Sequence, residues 1–365
     1  MSAGRSLASR AVDAELRDRA LTLVEELLGG ALDEARAREL VAELERRRDE
    51  LGGVLTVGVN PPRTDYGQAW EEARAAAYAP TENVGAVHLE LGTWTAFPPE
   101  RVQQFVAEDG LAEFIRLDAD PQYDCDIVAD ATALPFRSGV IDRVGSNSTL
   151  EHIAHPARVM REAHRVLRPG GVFVTATPFV WHEHGYPDDY LRLARGYYER
   201  VLVESGFTDV VIDRDGSSGL YYTLHNAAKM ALVDESRPEY DAMRHLQELV
   251  VVLLGTLIPL DRFFTHGARY WYHSVRVVAR KPGTYEPSRR TRDATKPFAD
   301  RATDLLADPA TKQPLRREGG HLVCDASGLA YPVTRSGRVN FLEPERPRPS
   351  LARRAAARAR TTLFG

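Results

Sequence analysis

Residues 126–179 read DIVADATALPFRSGVIDRVGSNSTLEHIAHPARVMREAHRVLRPGGVFVTATPF, and the type of element they specify alternates along the stretch. Residues 126–129 and 141–146 are short, apolar and β-prone. From 156 to 167 apolar residues recur at helical spacing (Ala157, Met160, Ala163, Val166, Leu167). Arg168-Pro169-Gly170-Gly171 then breaks the helix, and 172–176 is again β-branched and apolar. Strand, helix, glycine turn, strand is the signature of a parallel α/β layer.

Composition bounds what surrounds that layer. At 365 residues the chain exceeds one typical domain, so two units with appendages are expected. Hydrophobic residues make up 43% and charged residues 27%, a globular balance with ample apolar mass for a core. A net charge of −5 gives no bulk attraction to nucleic acid, and no base-reading motif is present. The two cysteines, Cys125 and Cys324, cannot build a disulfide framework and fit a reducing compartment, so a cytoplasmic location is expected. The N-terminal residues lack a signal-like apolar core. The longest apolar run, 249–260 (LVVVLLGTLIPL), is twelve residues flanked by Glu248 and Asp261, too short for a transmembrane segment.

The motifs DATALPF (130–136), the 142–153 segment ending in LEHI, and VLRPGG followed by a strand resemble the second half of class I S-adenosylmethionine-dependent methyltransferases of the type 11 kind. The resemblance spans roughly residues 84–280. It implies an α/β fold with a Rossmann-like, mostly parallel sheet, an antiparallel last strand and S-adenosylmethionine as cofactor. Carried onto this sequence, it assigns cofactor binding to Glu90, Gly92, Asp118, Asp130, Ala131 and Asn147. Asp118 would accept both ribose hydroxyls, and Asp130 with Ala131 would meet the adenine. The competing, less favoured readings are a turn acid for Asp118 and a cap of 132–134 for Asp130. The pattern departs at one point, where Trp94 replaces the second glycine of the cofactor loop. Either the loop takes another path with Trp94 beside the cofactor, or the indole fills the methionine pocket.

After the fifth strand, polar and aromatic residues crowd where an acceptor would lie. Trp181, Tyr186, Asp189 and Tyr190 are the candidate substrate contacts, and His182 and His184 the candidate bases, with His152 of LEHI as another. The HGYPDDYLRL segment resembles family members associated with glycan and natural-product clusters. The expected reaction is methyl transfer to an oxygen or nitrogen of such a small-molecule acceptor. A fold retained without methylation stays open because of Trp94. His-x-His with Glu183 and Asp188 is too weak a pattern to assign a metal.

The expected organisation is a helical hairpin at 1–53, which covers an edge or pairs a homodimer, then a linker and lead-in helix at 54–83. The methyltransferase-like domain follows at 84–281, with a helical insert at 221–264, and then a charged linker at 282–300. Residues 301–345 resemble the small Trm112-like zinc ribbon, whose four thiolates hold zinc and whose relatives activate methyltransferases. Here those positions hold Asp308, Thr311, Cys324 and Ser327, so no zinc is expected and a docking role is. A basic tail, 346–365, closes the chain.

Overall fold

The computed structural model describes residues 85–93, 98–108, 110–184, 188–213, 219–232, 271–293 and 295–346, with 72, 73, 75 and 254 besides. The expected N-terminal hairpin, Trp94, Tyr186, most of the helical insert and nearly all of the basic tail lie outside these residues.

Strands β1 (Val87–Leu91), β2 (Glu113–Asp118), β3 (Ile127–Val128), β4 (Ile141–Asn147), β5 (Leu167–Pro178), β6 (Thr208–Ile212), β7 (Ser274–Arg280) and β11 (Val339–Asn340) form one sheet. Its order is β11-β3-β2-β1-β4-β5-β7-β6. A second, antiparallel sheet joins β8 (Arg316–Glu318), β9 (His321–Val323) and β10 (Ala330–Pro332). Among the described residues the α-helices are α1 (Pro99–Glu108), α2 (Pro156–Val166), α3 (Arg195–Glu204), α4 (Leu220–Leu232) and α5 (Phe298–Ala302). Two compact units divide the chain: Arg74–Thr175 with Tyr198–Val210 and Val278–Gly365, and Met1–Ala73 with Ala176–Tyr197 and Val211–Val277.

In the first unit β1 is central, parallel to β2 on one side and to β4 on the other. All five of its residues are buried, as a parallel strand covered on both faces requires. Helix α1 sets Val102 into a cluster with Ala86, Leu111 and Phe114. Helix α2 opens with Pro156, whose missing N–H costs nothing in a first turn, and buries Val159, Met160, Ala163 and Val166 completely. Each larger side chain there contributes roughly 1.5–3 kcal/mol.

The break expected at residues 168–171 is absorbed into β5, which starts at Leu167. Gly170, at φ +74°, donates its N–H to Lys281 O, and Lys281 returns the bond to Gly171 O. A side chain on Gly170 would sit 2.6 Å from the Tyr285 backbone, so glycine is what lets the following segment close in. At the far end of β5, Phe179 N–H donates to His273 O. Lys281 at one end and His273 at the other mean that β7 runs antiparallel to β5, as expected.

The segment after β7, expected as a charged linker, lies against the amino ends of β1 and β4. Asp142, fully buried at the start of β4, accepts from Val87 N (2.8 Å), Ser288 N (3.1 Å) and Tyr285 OH (3.2 Å). Arg290 N donates to Gly85 O (3.0 Å). Backbone groups that must be paired when buried find partners there, so this part of the linker is a strap. It delivers the chain to α5 and the small sheet, and then to β11, which pairs in parallel with β3 at Val339↔Ile127 and Asn340↔Val128.

In the second unit, Asp213 N donates to Arg276 O (2.8 Å) and the Arg276 guanidinium returns to the buried Asp213 carboxylate at 2.6 Å. Helix α4 stands at the start of the expected insert.

Candidate functional site

Parallel register brings four strand ends to one edge of the first unit. Leu91 lies opposite Leu117 and Ser146, and Asp118 opposite Val128. Asp130, Asp118, Gly92 and Asn147 therefore follow one another, in that order, along neighbouring carboxyl ends, the position where open α/β sheets take ligands. Gly92 has φ +69° and donates to Leu117 O at 2.9 Å. A Cβ there would lie 2.2 Å from Thr149 Oγ1 and 2.3 Å from its Cγ2. Thr149 is held in place by its single hydroxyl proton, which Leu91 O and Asn147 O share, both at 3.1 Å. The bare backbone at Gly92 is thus built into the edge.

Asp118 is half-buried, and its Oδ1 accepts from Asp120 N at 3.0 Å. Asp130 is exposed and caps the 3₁₀ turn Ala131–Ala133, accepting from Thr132 N (2.8 Å) and Thr132 Oγ1 (2.7 Å). A carboxylate has about four acceptor positions, so a cap at this place still offers oxygen to a ligand. Glu90 turns away along β1. Its carboxylate meets His88 Nε2 at 2.9 Å and lies over Gly145 of β4, where a Cβ would come within 2.0 Å of it. Glu151 of LEHI is fully buried, with His152 Nε2 3.9 Å away. Burial, and then the Asp118 carboxylate, push the Cys125 thiol up to about 11, so it is a packing group and no nucleophile.

The four ribbon positions also meet. Asp308 is fully buried, and its Oδ1 accepts from Ala310 N (3.0 Å), Thr311 N (2.7 Å) and Thr311 Oγ1 (3.0 Å). Its Oδ2 accepts from Ser327 Oγ (2.6 Å) and Tyr331 OH (2.8 Å). Burial opposes the charge, yet these donors outweigh it and hold the carboxyl at about 2. The folded value lies below the unfolded one near 4, so the stability it contributes is present above about pH 4 and lost as the pH falls through about 2. The stability gap between the native chain and Asp308→Asn should accordingly narrow by about 1 kcal/mol between about pH 5 and about pH 3 in urea unfolding. A constant gap would refute the assignment.

Residues 92–175 match the family model described as Methyltransferase domain, and residues 300–336 the one described as Trm112p-like protein. Residues 92–175 are thus similar to a methyltransferase domain, and residues 300–336 to a Trm112-like protein. It is 47% identical over 78 residues to an uncharacterized chloroplastic methyltransferase of Arabidopsis thaliana, covering 21% of each chain. It is 32% identical over 102 residues to the chloroplastic 2-methyl-6-phytyl-1,4-hydroquinone methyltransferase of the same plant, covering 27% of this chain and 30% of that one. The chain spans 18–30% of the length of the curated relatives it matches. Among solved structures, a Haloferax volcanii complex of the Trm112 methyltransferase activator with a methyltransferase aligns at TM-score 0.36 and 19% identity, covering 59% of this chain and 91% of that chain.

The methyltransferase domain and the Trm112-like segment meet within the first unit. Beyond the β11–β3 pairing, Arg137 N donates to Leu305 O (2.9 Å) and Ala307 N to Pro135 O (3.0 Å). Lys312 Nζ reaches Leu134 O (3.3 Å) and the Glu162 carboxylate (2.9 Å). Arg338 donates to Pro121 O and Tyr123 O, both at 3.1 Å. The loops that leave β2 and β3, each headed by a candidate carboxylate, are both fastened by the segment.

In the second unit the residues after β5 form an aromatic cluster. Trp181 and His273 meet edge-on at 4.7 Å, and the His182 and His184 rings stand 5.6 Å apart. Burial lowers the His273 pKa. Asp189 accepts from Arg192 at 2.5 and 2.7 Å and from His184 N at 3.0 Å, and lies 3.1 Å from His184 Nδ1. The Arg192 guanidinium holds the Asp189 carboxyl well below the usual carboxylate range. Asp189, expected to touch substrate, thus clamps the loop and orients His184. Tyr190 is exposed and donates to Asp188 at 2.9 Å. Sequence reasoning missed Thr149, Asp142 and Arg192, none of which sits in a periodic pattern.

Proposed function

We propose that this protein is an S-adenosylmethionine-dependent methyltransferase acting on an oxygen or nitrogen of a small-molecule acceptor, sugar-bearing or secondary-metabolite. The observation that carries this is the succession of Asp130, Asp118, Gly92 and Asn147 at neighbouring parallel strand ends, with Thr149 occupying the space a Gly92 side chain would need. Backbone at Gly92 would lie along the methionine part, Asp118 would accept from the ribose hydroxyls, and Asp130 with Ala131 would hold the adenine. Bound there, S-adenosylmethionine supplies a methyl carbon activated by a sulfonium. An edge lined by carboxylates favours that cation.

The acceptor side is assigned to Trp181, His182, His184, Tyr186 and Tyr190. His184 Nδ1 faces two oxygens, Asp189 Oδ2 and His182 O, each at 3.1 Å. That arrangement puts the proton of the neutral ring on Nδ1 and the lone pair on Nε2, suited to take a proton from an acceptor hydroxyl. A carbon acceptor is the second reading, favoured by the name of one curated relative, a ubiquinone/menaquinone biosynthesis C-methyltransferase. Locating the new methyl in the product by NMR separates the two.

Calorimetric titration of the purified chain with S-adenosylmethionine tests the cofactor assignment. Asp118→Ala is expected to weaken binding about 10- to 100-fold, the worth of a lost charged hydrogen bond, without lowering the melting temperature. Unchanged affinity in that variant would overturn the ribose assignment. No binding by the native chain, with binding restored in Trp94→Gly, would favour the fold kept without methylation.

The Trm112-like segment is part of this reading as a partner carried in the same chain. Its β11 edge is spent on β3, so its docking surface serves this methyltransferase domain.

A further inference from the structure

The Trm112-like segment keeps the spacing of a four-ligand metal site, Asp308-x-x-Thr311 and Cys324-x-x-Ser327, on two tight turns. Asp308 O accepts from Lys312 N in the first turn, and Cys324 O from Gly328 N in the second, both at 2.9 Å. The four side chains still converge, with Thr311 Oγ1 3.7 Å from Cys324 Sγ and Ser327 Oγ 2.6 Å from Asp308 Oδ2. Their chemistry does not fit zinc. One thiol and one carboxylate are the only strong donors, and both hydroxyls direct their protons at the carboxylate, which takes the centre itself.

From this convergence we infer that the Asp308 carboxylate is the cross-link between the two turns, so the segment folds and docks without a metal. Two hydroxyls, two backbone amides and a phenol converge on its two oxygens from residues 310, 311, 327 and 331. A zinc ion would join the same two turns by accepting lone pairs. Here a buried anion joins them by accepting hydrogen bonds, and full burial of Asp308 and Cys324 shields those bonds from bulk solvent. The cross-link is independent of whether the domain methylates anything.

Metal analysis of the full chain, purified without chelator, is the first test. Less than about 0.1 equivalent of zinc, and a melting temperature unmoved by EDTA or added zinc, is expected. One equivalent of zinc, with a melting temperature that falls on chelation, overturns the inference. The second test is hydrogen exchange in Asp308→Ala. Amides of Cys324 and Gly328, which donate to backbone oxygens and never to Asp308, are expected to exchange at least about 10-fold faster because the second turn has lost its anchor. Unchanged protection there would show that the carboxylate does not join the turns. Should Asp308→Ala fail to fold, Ser327→Ala, which removes one donor of the set, is read the same way.

Discussion

Gly92→Ala is expected to weaken S-adenosylmethionine binding by at least about 30-fold while leaving most of the sheet folded. Two costs coincide at this position. An L-residue held at φ +69° loses roughly 1–2 kcal/mol relative to glycine. The new methyl would also lie 2.2 Å from Thr149 Oγ1, and Thr149 cannot swing aside without giving up its bond to Leu91 O. Overpacking of this kind costs about 1–3 kcal/mol. The strand behind is fully buried and paired on both sides, so relief comes from the turn itself, and about 2 kcal/mol taken from binding is about 30-fold. Thr149→Ala in the same chain removes the two nearest atoms but leaves Cβ at 2.8 Å, so rescue should be partial. Calorimetry that finds native affinity in Gly92→Ala would remove the cofactor from this turn.

The second large effect is expected from Val339→Pro. Val339 N donates to Asp126 O at 3.1 Å in the β11–β3 ladder, and Val339 itself is fully buried. Proline removes that donor, leaves Asp126 O without it and sets a ring against the facing strand, a loss of about 1–3 kcal/mol for the unpaired group alone. The Trm112-like segment should loosen along β3, and amides from 126 to 137 should lose protection from exchange. Cofactor affinity should fall with it, because Asp130 heads the loop that Leu305, Ala307 and Lys312 hold. Val339→Thr, which keeps the N–H and nearly the shape, separates the lost bond from lost packing. Native exchange and native affinity in the proline variant would mean that the segment contributes nothing to this edge.

The α/β layer was legible because its periodicities are local. The run from 126 to 179 predicted β3, β4, α2 and β5 to within a few residues, and the antiparallel β7 followed from the family resemblance. Residues 168–171 were misjudged because proline and glycine usually end elements; Lys281 and Tyr285, distant in sequence, convert the turn into strand. The strap failed for a related reason. Its residues are charged and proline-bearing, and only Asp142 and Gly85 reveal what they pair with. At the edge, Gly92, Asp118 and Asp130 could be named from motif spacing, whereas Thr149 could not, since its role is to fill a space that another residue leaves. At the ribbon, the missing thiolates were plain in the sequence. That Asp308 accepts from both turns needed coordinates.

The strap across the amino ends of β1 and β4 has a consequence for how the two parts stay together. A short tether between β7 and α5, itself fastened, keeps the ribbon at an effective concentration on the order of millimolar or above. Attachment becomes a unimolecular equilibrium that dilution cannot erode, and its stoichiometry is fixed at one to one whenever the gene is translated.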